Sequence, residues 1–249
     1  MDLSLGRGTC QPMAITTPPV PTNLLILDLE TTGLHPGQDH CIELAAVLFS
    51  VPLRTTLGQV STLFPVEENQ AERINGIPPA ASQGRQPWRQ ALELFMAMAD
   101  HADAAVAHNV AFDRPWFGKP PLPSLSLPWI CTCDDVVWPL RLNLKPKPSL
   151  RDLALAHGIP VWATHRALTD CTYLAQILSR CTDLEGLLLE ARQPRQLYKA
   201  KVSYEQRHLA KTAGFHWNSL VPGAWARRLS DAQRERLSFP VELVDTSNG

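Results

Sequence analysis

Residues 24–33 read Leu24-Leu25-Ile26-Leu27-Asp28-Leu29-Glu30-Thr31-Thr32-Gly33. The leading aliphatic run has strand length and no polar break, the pattern of a strand buried on both faces. Side chains on a strand alternate faces, so Asp28 and Glu30 project together from the end of that run. Two like charges at the rim of a core are costly unless something cationic sits between them. Thr31-Thr32-Gly33 then makes a tight polar turn whose backbone can approach a ligand closely. A D-x-E strand end taken alone is more often an ordinary exit to solvent, so its meaning depends on what the rest of the chain brings beside it.

Outward from this strand the chain alternates. Residues 43–49 and 57–64 read as two further strands joined by a turn near Pro52. Residues 88–99 carry a helical stripe, 103–107 a short strand ending at His108, and a brief helix follows from Val110. Eight prolines between 115 and 148 confine that stretch to loops, a short strand near Trp129-Ile130-Cys131 and one brief helix. Ser149 is placed to cap a helix over Leu150–His157 that Gly158 stops, and 167–180 forms an apolar-striped helix. The order predicts an α/β fold, a mixed sheet flanked by helices, over residues 23–182. Residues 1–22, rich in Thr and Pro, read as a flexible leader, and 183–197 as a linker. Residues 198–249 read as a small α+β helix-hairpin module. In it Ser203-x-x-Gln206 opens a helix ending at Gly214, Phe215 and Trp217 alternate as a strand, and Trp225 starts the return after Pro222-Gly223.

Composition bounds the function. The 249 residues are 45% hydrophobic and 19% charged, which excludes wholesale disorder. No apolar run reaches the ~18 residues of a membrane span, and the N-terminus lacks a basic-then-apolar export signal. Six cysteines are too few for a disulfide scaffold. A cytoplasmic protein with no membrane partner is expected. The net charge of -1 conceals a split: residues 1–190 hold 13 Lys and Arg against 19 Asp and Glu, whereas 191–236 hold 10 against 3. An acidic body with a basic segment suits bound cations and a polyanionic partner, although a solvated basic face has the same charge pattern.

Two more clusters carry polar chemistry. His108-Asn109-Val110-Ala111-Phe112-Asp113 puts a carboxylate one turn into a helix that follows a strand end. His165-Arg166-Ala167-Leu168-Thr169-Asp170 does the same, with His165 just before the helix. Singly, each is an unremarkable cap or a surface histidine. Jointly, four carboxylates and one histidine at element ends call for divalent cations, and hard oxygen ligands favour Mg²⁺ or Mn²⁺. A pair of such ions suits in-line displacement at phosphorus, with a histidine activating the attacking water.

The ordered motifs DLETTG (28–33), HNVAFD (108–113) and HRALTD (165–170) resemble those of the DEDDh 3'–5' exonucleases. That family includes the proofreading epsilon subunit of bacterial DNA polymerase III, RNase T and oligoribonuclease. IELAAV (42–47), INGI (74–77), the CT pair at 131–132 and SLRDLA (149–154) support the match, which covers about residues 23–182. The resemblance implies an RNase H-like fold, two metal ions, and hydrolysis of the 3'-terminal phosphodiester to release nucleoside 5'-monophosphates. It implies that Asp28, Glu30, Asp113 and Asp170 hold the metal and that His165 is the base. Thr31, Gly33, Leu34, Asn75, Gly76, His108, Asn109 and Phe112 would lie at the substrate, Leu34 and Phe112 reading more as packing residues than as base-stacking platforms. The partner would be nucleic acid with a free 3' end, with DNA favoured slightly over RNA, and a polymerase or other DNA-processing protein could associate.

In the basic module, Lys199, Lys201, Lys211, Arg227 and Arg228 are candidates for nucleic-acid contact, with Phe215, Trp217 and Trp225 read as its small core. Cys131-Thr132-Cys133 lacks a second pair at zinc-site spacing and reads as core packing. The reading from another class is a nucleic-acid-binding or polymerase-associated protein without nuclease activity. It predicts a broken catalytic set, and this set is intact.

Overall fold

The computed structural model describes residues 19–85, 87–163 and 165–245. The chain opens with strands β1 (Asn23–Thr31), β2 (Cys41–Ser50) and β3 (Thr55–Leu63). Two single-turn helices, α1 (Glu72–Asn75) and α2 (Pro79–Ser82), lead to α3 (Trp88–Asp100). Strand β4 (Ala104–Ala107), helix α4 (Val110–Asp113) and strand β5 (Trp129–Cys131) come next, then α5 (Leu150–Ala156), α6 (Ala167–Ser179) and α7 (Leu184–Ala191). The C-terminal part holds β6 (Gln196–Ala200), α8 (Arg207–Thr212), β7 (His216–Trp217), β8 (Trp225–Leu229), α9 (Asp231–Glu235) and β9 (Val241–Leu243).

The main sheet runs β3-β2-β1-β4-β5. β1 and β2 pair antiparallel, as do β2 and β3, while β4 joins β1 in parallel and β5 joins β4 in parallel. β1 is therefore interior, and helices cover both its faces. Leu24 and Ile26 pack with Cys171, Leu174 and Leu178 of α6. Leu25, Leu27 and Leu29 pack with Phe95, Met98 and Ala99 of α3. That double burial is why the strand reads as an unbroken apolar run. The mixed sheet flanked by helices is the expected α/β fold, and Ser149 caps α5 as predicted, its hydroxyl accepting from the Asp152 amide at 3.1 Å.

Two boundaries differ from expectation. The stretch 183–197 is not a bare linker: Asp183 caps α7 by accepting from the Gly186 amide at 3.0 Å, and Leu184, Leu188 and Ala191 are buried in the core beside the main sheet. At eight residues, α7 is too short for its stripe to stand out from its Leu-rich composition. At the other end, residues 1–18 lie outside the described residues, but Val20 packs on the core and the Thr22 amide donates to Asp103 at 2.7 Å. Residues 19–22 therefore belong to the folded body.

The C-terminal unit contains the expected β7–β8 hairpin within a four-stranded antiparallel sheet, β7-β8-β6-β9. Tyr198, Ala210, Phe215 and Leu229 form its buried centre, with Phe239 edge-on to Phe215 at 5.5 Å. The Ser203/Gln206 reciprocal bonds are present at 3.3 and 3.4 Å but close a turn ahead of α8, which starts at Arg207 without a side-chain cap, whereas a capping box of Ser230 with Gln233 starts α9. Arg195 ties this unit to the body built on the main sheet. It pairs with the Asp135 carboxylate at 2.7 Å and donates to the Asp135 carbonyl at 2.7 Å. Ser230 adds a 2.8 Å bond to Glu190 of α7.

Candidate active site

β1, α4 and α6 converge at one end of the sheet. Asp28, Glu30, Asp113, His165 and Asp170, distant in sequence, line one cleft of about 770 Å³. Asp28 and Glu30 leave β1 on the side of Leu24 and Ile26, the side that α6 covers. Asp170 sits in the first turn of α6 and Asp113 ends α4. One oxygen each from Asp28, Glu30 and Asp170 lie within 4.8 Å of one another, close enough to share a cation.

The electrostatics show how costly this arrangement is in the absence of a counter-ion. Burial, then the charges of Asp113, Asp170 and Glu30, push Asp28 well above the carboxylate range. Burial, then Glu43, raises Glu30 to about 8, with Arg166 pulling the other way. Asp170 rises to about 6 chiefly through burial, opposed by the His165 amide. Burial likewise raises Asp113, whose Oδ1 is buried without a hydrogen-bond partner among the described residues. Buried carboxylates that repel one another and leave an oxygen unmatched fit a divalent cation with oxygen ligands. The donor set matches the implied metal.

The loop before α6 is held in place by Tyr173, a buried residue of that helix. Its hydroxyl accepts from the Trp162 and Ala163 amides at 2.9 and 3.1 Å. His165 follows at φ 61°, in the left-handed region, with its side chain exposed and its amide donating to Asp170 Oδ2 at 3.2 Å. The imidazole is thus presented at the cleft mouth instead of packed away.

The other predicted residues take varied places. Thr31 donates to the Gly33 carbonyl at 2.6 Å, closing the turn. A Cβ on Gly33 would lie 2.4 Å from the Asp39 carboxyl, which explains the glycine. Leu34, 74% exposed, stands on the cleft wall with Thr31, Gly33, His108, Asn109 and Phe112. Burial lowers the His108 pKa, and its Nδ1 meets Thr132 Oγ1 at 2.9 Å. Asn75 and Gly76 are not among the residues lining the cleft. The Asn75 amide is committed internally, donating to the Thr31 carbonyl at 3.1 Å and accepting from the Ile77 amide at 3.1 Å. Gly76 closes α1 in the left-handed conformation. Their neighbour Ile74, 64% exposed, is the residue of INGI that faces the cleft. Sequence reasoning quoted Ile74, Arg151 and Glu43 within the supporting motifs but gave none of them an individual role. For Glu43 the signal was available, a charge inside the apolar run 41–49.

In the module, Lys199 and Lys201 both pair with Glu242, at 2.7 and 3.0 Å. Half-buried Arg227 donates to the Ala213 carbonyl at 2.6 Å, while Lys211 and Arg228 are exposed. Phe215 is core as expected. Trp217 is not: it is 56% exposed, lying against Trp225 at 5.9 Å on a two-residue edge strand too short to be covered. Cys131 is buried and Cys133 half-buried, their sulfurs 3.4 Å apart.

The mixed sheet flanked by helices brings the four carboxylates and the histidine of the exonuclease resemblance to one cleft. The family model described as Exonuclease (RNase T) matches residues 25–178, more than half of the chain, and the chain belongs to that family. A second model, described as a domain of unknown function (DUF8626), matches residues 196–244. The chain is 28% identical over 168 residues to the DNA polymerase III PolC-type of Thermotoga petrophila and of Thermotoga maritima, covering 64% of this chain. It spans only 12% of the length of those relatives. Among solved structures, the zinc-bound Escherichia coli ExoI–ssDNA complex aligns with a TM-score of 0.54 at 16% identity, over 77% of this chain and 50% of that one. The nuclease domain of 3'hExo, a DEDDh family member bound to rAMP, gives 0.52 at 15% identity, over 68% and 94%. These two likenesses are of fold. Among the described residues, no helix is long and apolar enough to cross a membrane.

Proposed function

We propose that this chain is a metal-dependent exonuclease that removes nucleoside 5'-monophosphates from the 3' end of single-stranded nucleic acid. DNA is the favoured substrate, in keeping with the DNA polymerase named among its relatives. The observation that carries the reading is the convergence of Asp28, Glu30, Asp113, Asp170 and His165 in one cleft. Asp28, Glu30, Asp113 and Asp170 hold the metal, Mg²⁺ or Mn²⁺. Two such ions supply charge stabilisation at the scissile phosphate and a more acidic water. His165, exposed at the cleft mouth, takes the proton of the attacking water. Leu34 and Ile74 offer apolar surface to the terminal base, and the Thr31–Gly33 turn offers backbone groups to its sugar and phosphate. Of the five predicted contacts, Lys211 and Arg228 are free for the strand beyond among the described residues, and Lys199, Lys201 and Arg227 can join them only by giving up present partners. A polymerase or other DNA-processing protein is a compatible partner, and the cytoplasm a compatible setting.

Matched 3'- and 5'-labelled DNA and RNA strands, incubated with Mg²⁺ or Mn²⁺ beside EDTA and His165→Ala controls, test the proposal. Mononucleotide release from the 3' end, lost in both controls, is expected, with the faster substrate identified by the rate ratio. Binding without hydrolysis under either metal would instead favour a nucleic-acid-binding role.

A further inference from the structure

Glu43 is a carboxylate with no place in the proposed metal set, yet it is the most deeply buried charge beside it, its side chain 3% exposed. It lies on β2 directly across from Glu30 in the strand register. Its presence there adds a further negative charge to a cluster already repelling itself, since it raises the pKa of Asp28, Glu30 and Asp170 alike. A buried charge at such a place needs specific partners.

Ser61 of β3 donates to Oε1 from 3.5 Å, and the closer partners are on the segment that carries His165 and Asp170. Glu43 Oε2 accepts from Arg166 Nε at 3.2 Å and Oε1 from the second guanidinium nitrogen at 3.1 Å, a two-pronged pairing. Oε2 also accepts from the Ala167 amide at 3.1 Å, an unsatisfied donor of the first turn of α6. One carboxylate on β2 therefore holds two consecutive residues, 166 and 167, between His165 and Asp170. His165 sits at φ 61°, a backbone conformation that a non-glycine residue keeps only when its neighbours are held.

We propose that Glu43 and Arg166 form a positioning clamp for the site. The pair fixes His165 and Asp170 against the Asp28–Glu30 edge. This rests on the exonuclease reading above. Partners of this kind behind metal ligands change metal affinity or activity by about 10- to 100-fold when removed.

The test uses the full chain and three variants: Glu43→Gln, which keeps size but removes the charge and turns one accepting oxygen into a donor; Arg166→Gln; and the double variant. Arg166 has its side chain 47% exposed, so its replacement leaves little buried volume unfilled and guards against failure to fold. Mn²⁺ affinity is read directly by magnetic resonance titration without substrate, and kcat and its metal dependence are read on a labelled oligonucleotide. Glu43→Gln should weaken Mn²⁺ binding and lower kcat by about 10- to 100-fold, because Asp170 and His165 are no longer held in place. The double variant should lose no more than Glu43→Gln alone, since either change opens the same clamp. Folded Glu43→Gln and Arg166→Gln proteins with wild-type Mn²⁺ affinity and kcat would overturn the clamp, leaving Glu43 a fold residue seen only in the melting temperature. A wild-type protein that neither binds Mn²⁺ nor cleaves would overturn the exonuclease reading instead.

Discussion

The five candidate side chains differ in how they are held, and each difference predicts a different failure. His165 is exposed and donates its backbone amide to Asp170, so truncating its ring leaves the carboxylate cluster in place. His165→Ala should lower kcat by about 10²- to 10⁴-fold, the range for loss of a general base, with Mn²⁺ binding unchanged. Loss of metal binding in this variant would show that the imidazole holds the cluster together. Asp28 is held between like charges, so Asp28→Asn should abolish hydrolysis yet raise the melting temperature of the metal-free protein. The same repulsion sets a pH dependence. Glu30 is shifted up from 4.5 to about 8, so the folded state holds its proton more tightly than the unfolded chain. Stability of the metal-free protein should therefore fall as pH rises from about 4.5 to about 8. Mn²⁺ should cancel that fall, because it binds the ionised folded state. Melting curves across this window with EDTA or Mn²⁺ check both signs, and a metal-free stability rising with pH would contradict the shared-cation arrangement.

At the scale of elements, the site depends on how α6 and its preceding loop meet the sheet. Tyr173 is buried in α6, and its hydroxyl takes the Trp162 and Ala163 amides of the loop that leads to His165. Tyr173→Phe keeps the ring and orphans both amides, so it should cost about 1–3 kcal/mol by denaturant titration. It should also depress kcat more than it changes short-oligonucleotide binding, since the loop positions the base and not the nucleotide. Little of this was legible beforehand. The helix over 167–180 and the cap at Ser149 follow from local periodicity and side-chain hydrogen bonding, which act within a few residues. That Tyr173 reaches back about ten residues to the loop depends on the helix packing against β1 and β2, which no local pattern records. Asn75 shows the same limit. The motif INGI placed it at the substrate, whereas its amide bridges α1 to the end of β1 and Ile74 faces the cleft instead.

For the whole molecule, the question is how the basic C-terminal unit serves the nuclease. Arg195, Asp135, Ser230 and Glu190 bind it to the nuclease body, and among the five predicted contacts only Lys211 and Arg228 are exposed without an ion-pair or hydrogen-bond partner among the described residues. Replacing both by Glu should leave dinucleotide cleavage unchanged and weaken binding to long single strands. It should also flatten the dependence of log affinity on log salt by about 1.4, two phosphate contacts at ~0.7 each on a single strand. An unaltered slope would return these residues to a solvated face. The sequence by itself determined the α/β order, the five side chains of the candidate site and the existence of a second unit. These are written in short-range signals: an apolar run ending in two carboxylates, strand-to-helix junctions carrying His and Asp, and a shift in charge. Only the tertiary structure decided that 184–191 is a core helix, that Lys199 and Lys201 are already paired with Glu242, and that Glu43 faces Arg166 across 123 residues of chain. Those facts depend on which surfaces meet when layers pack, and burial and pairing between distant residues leave no periodicity in the chain to read.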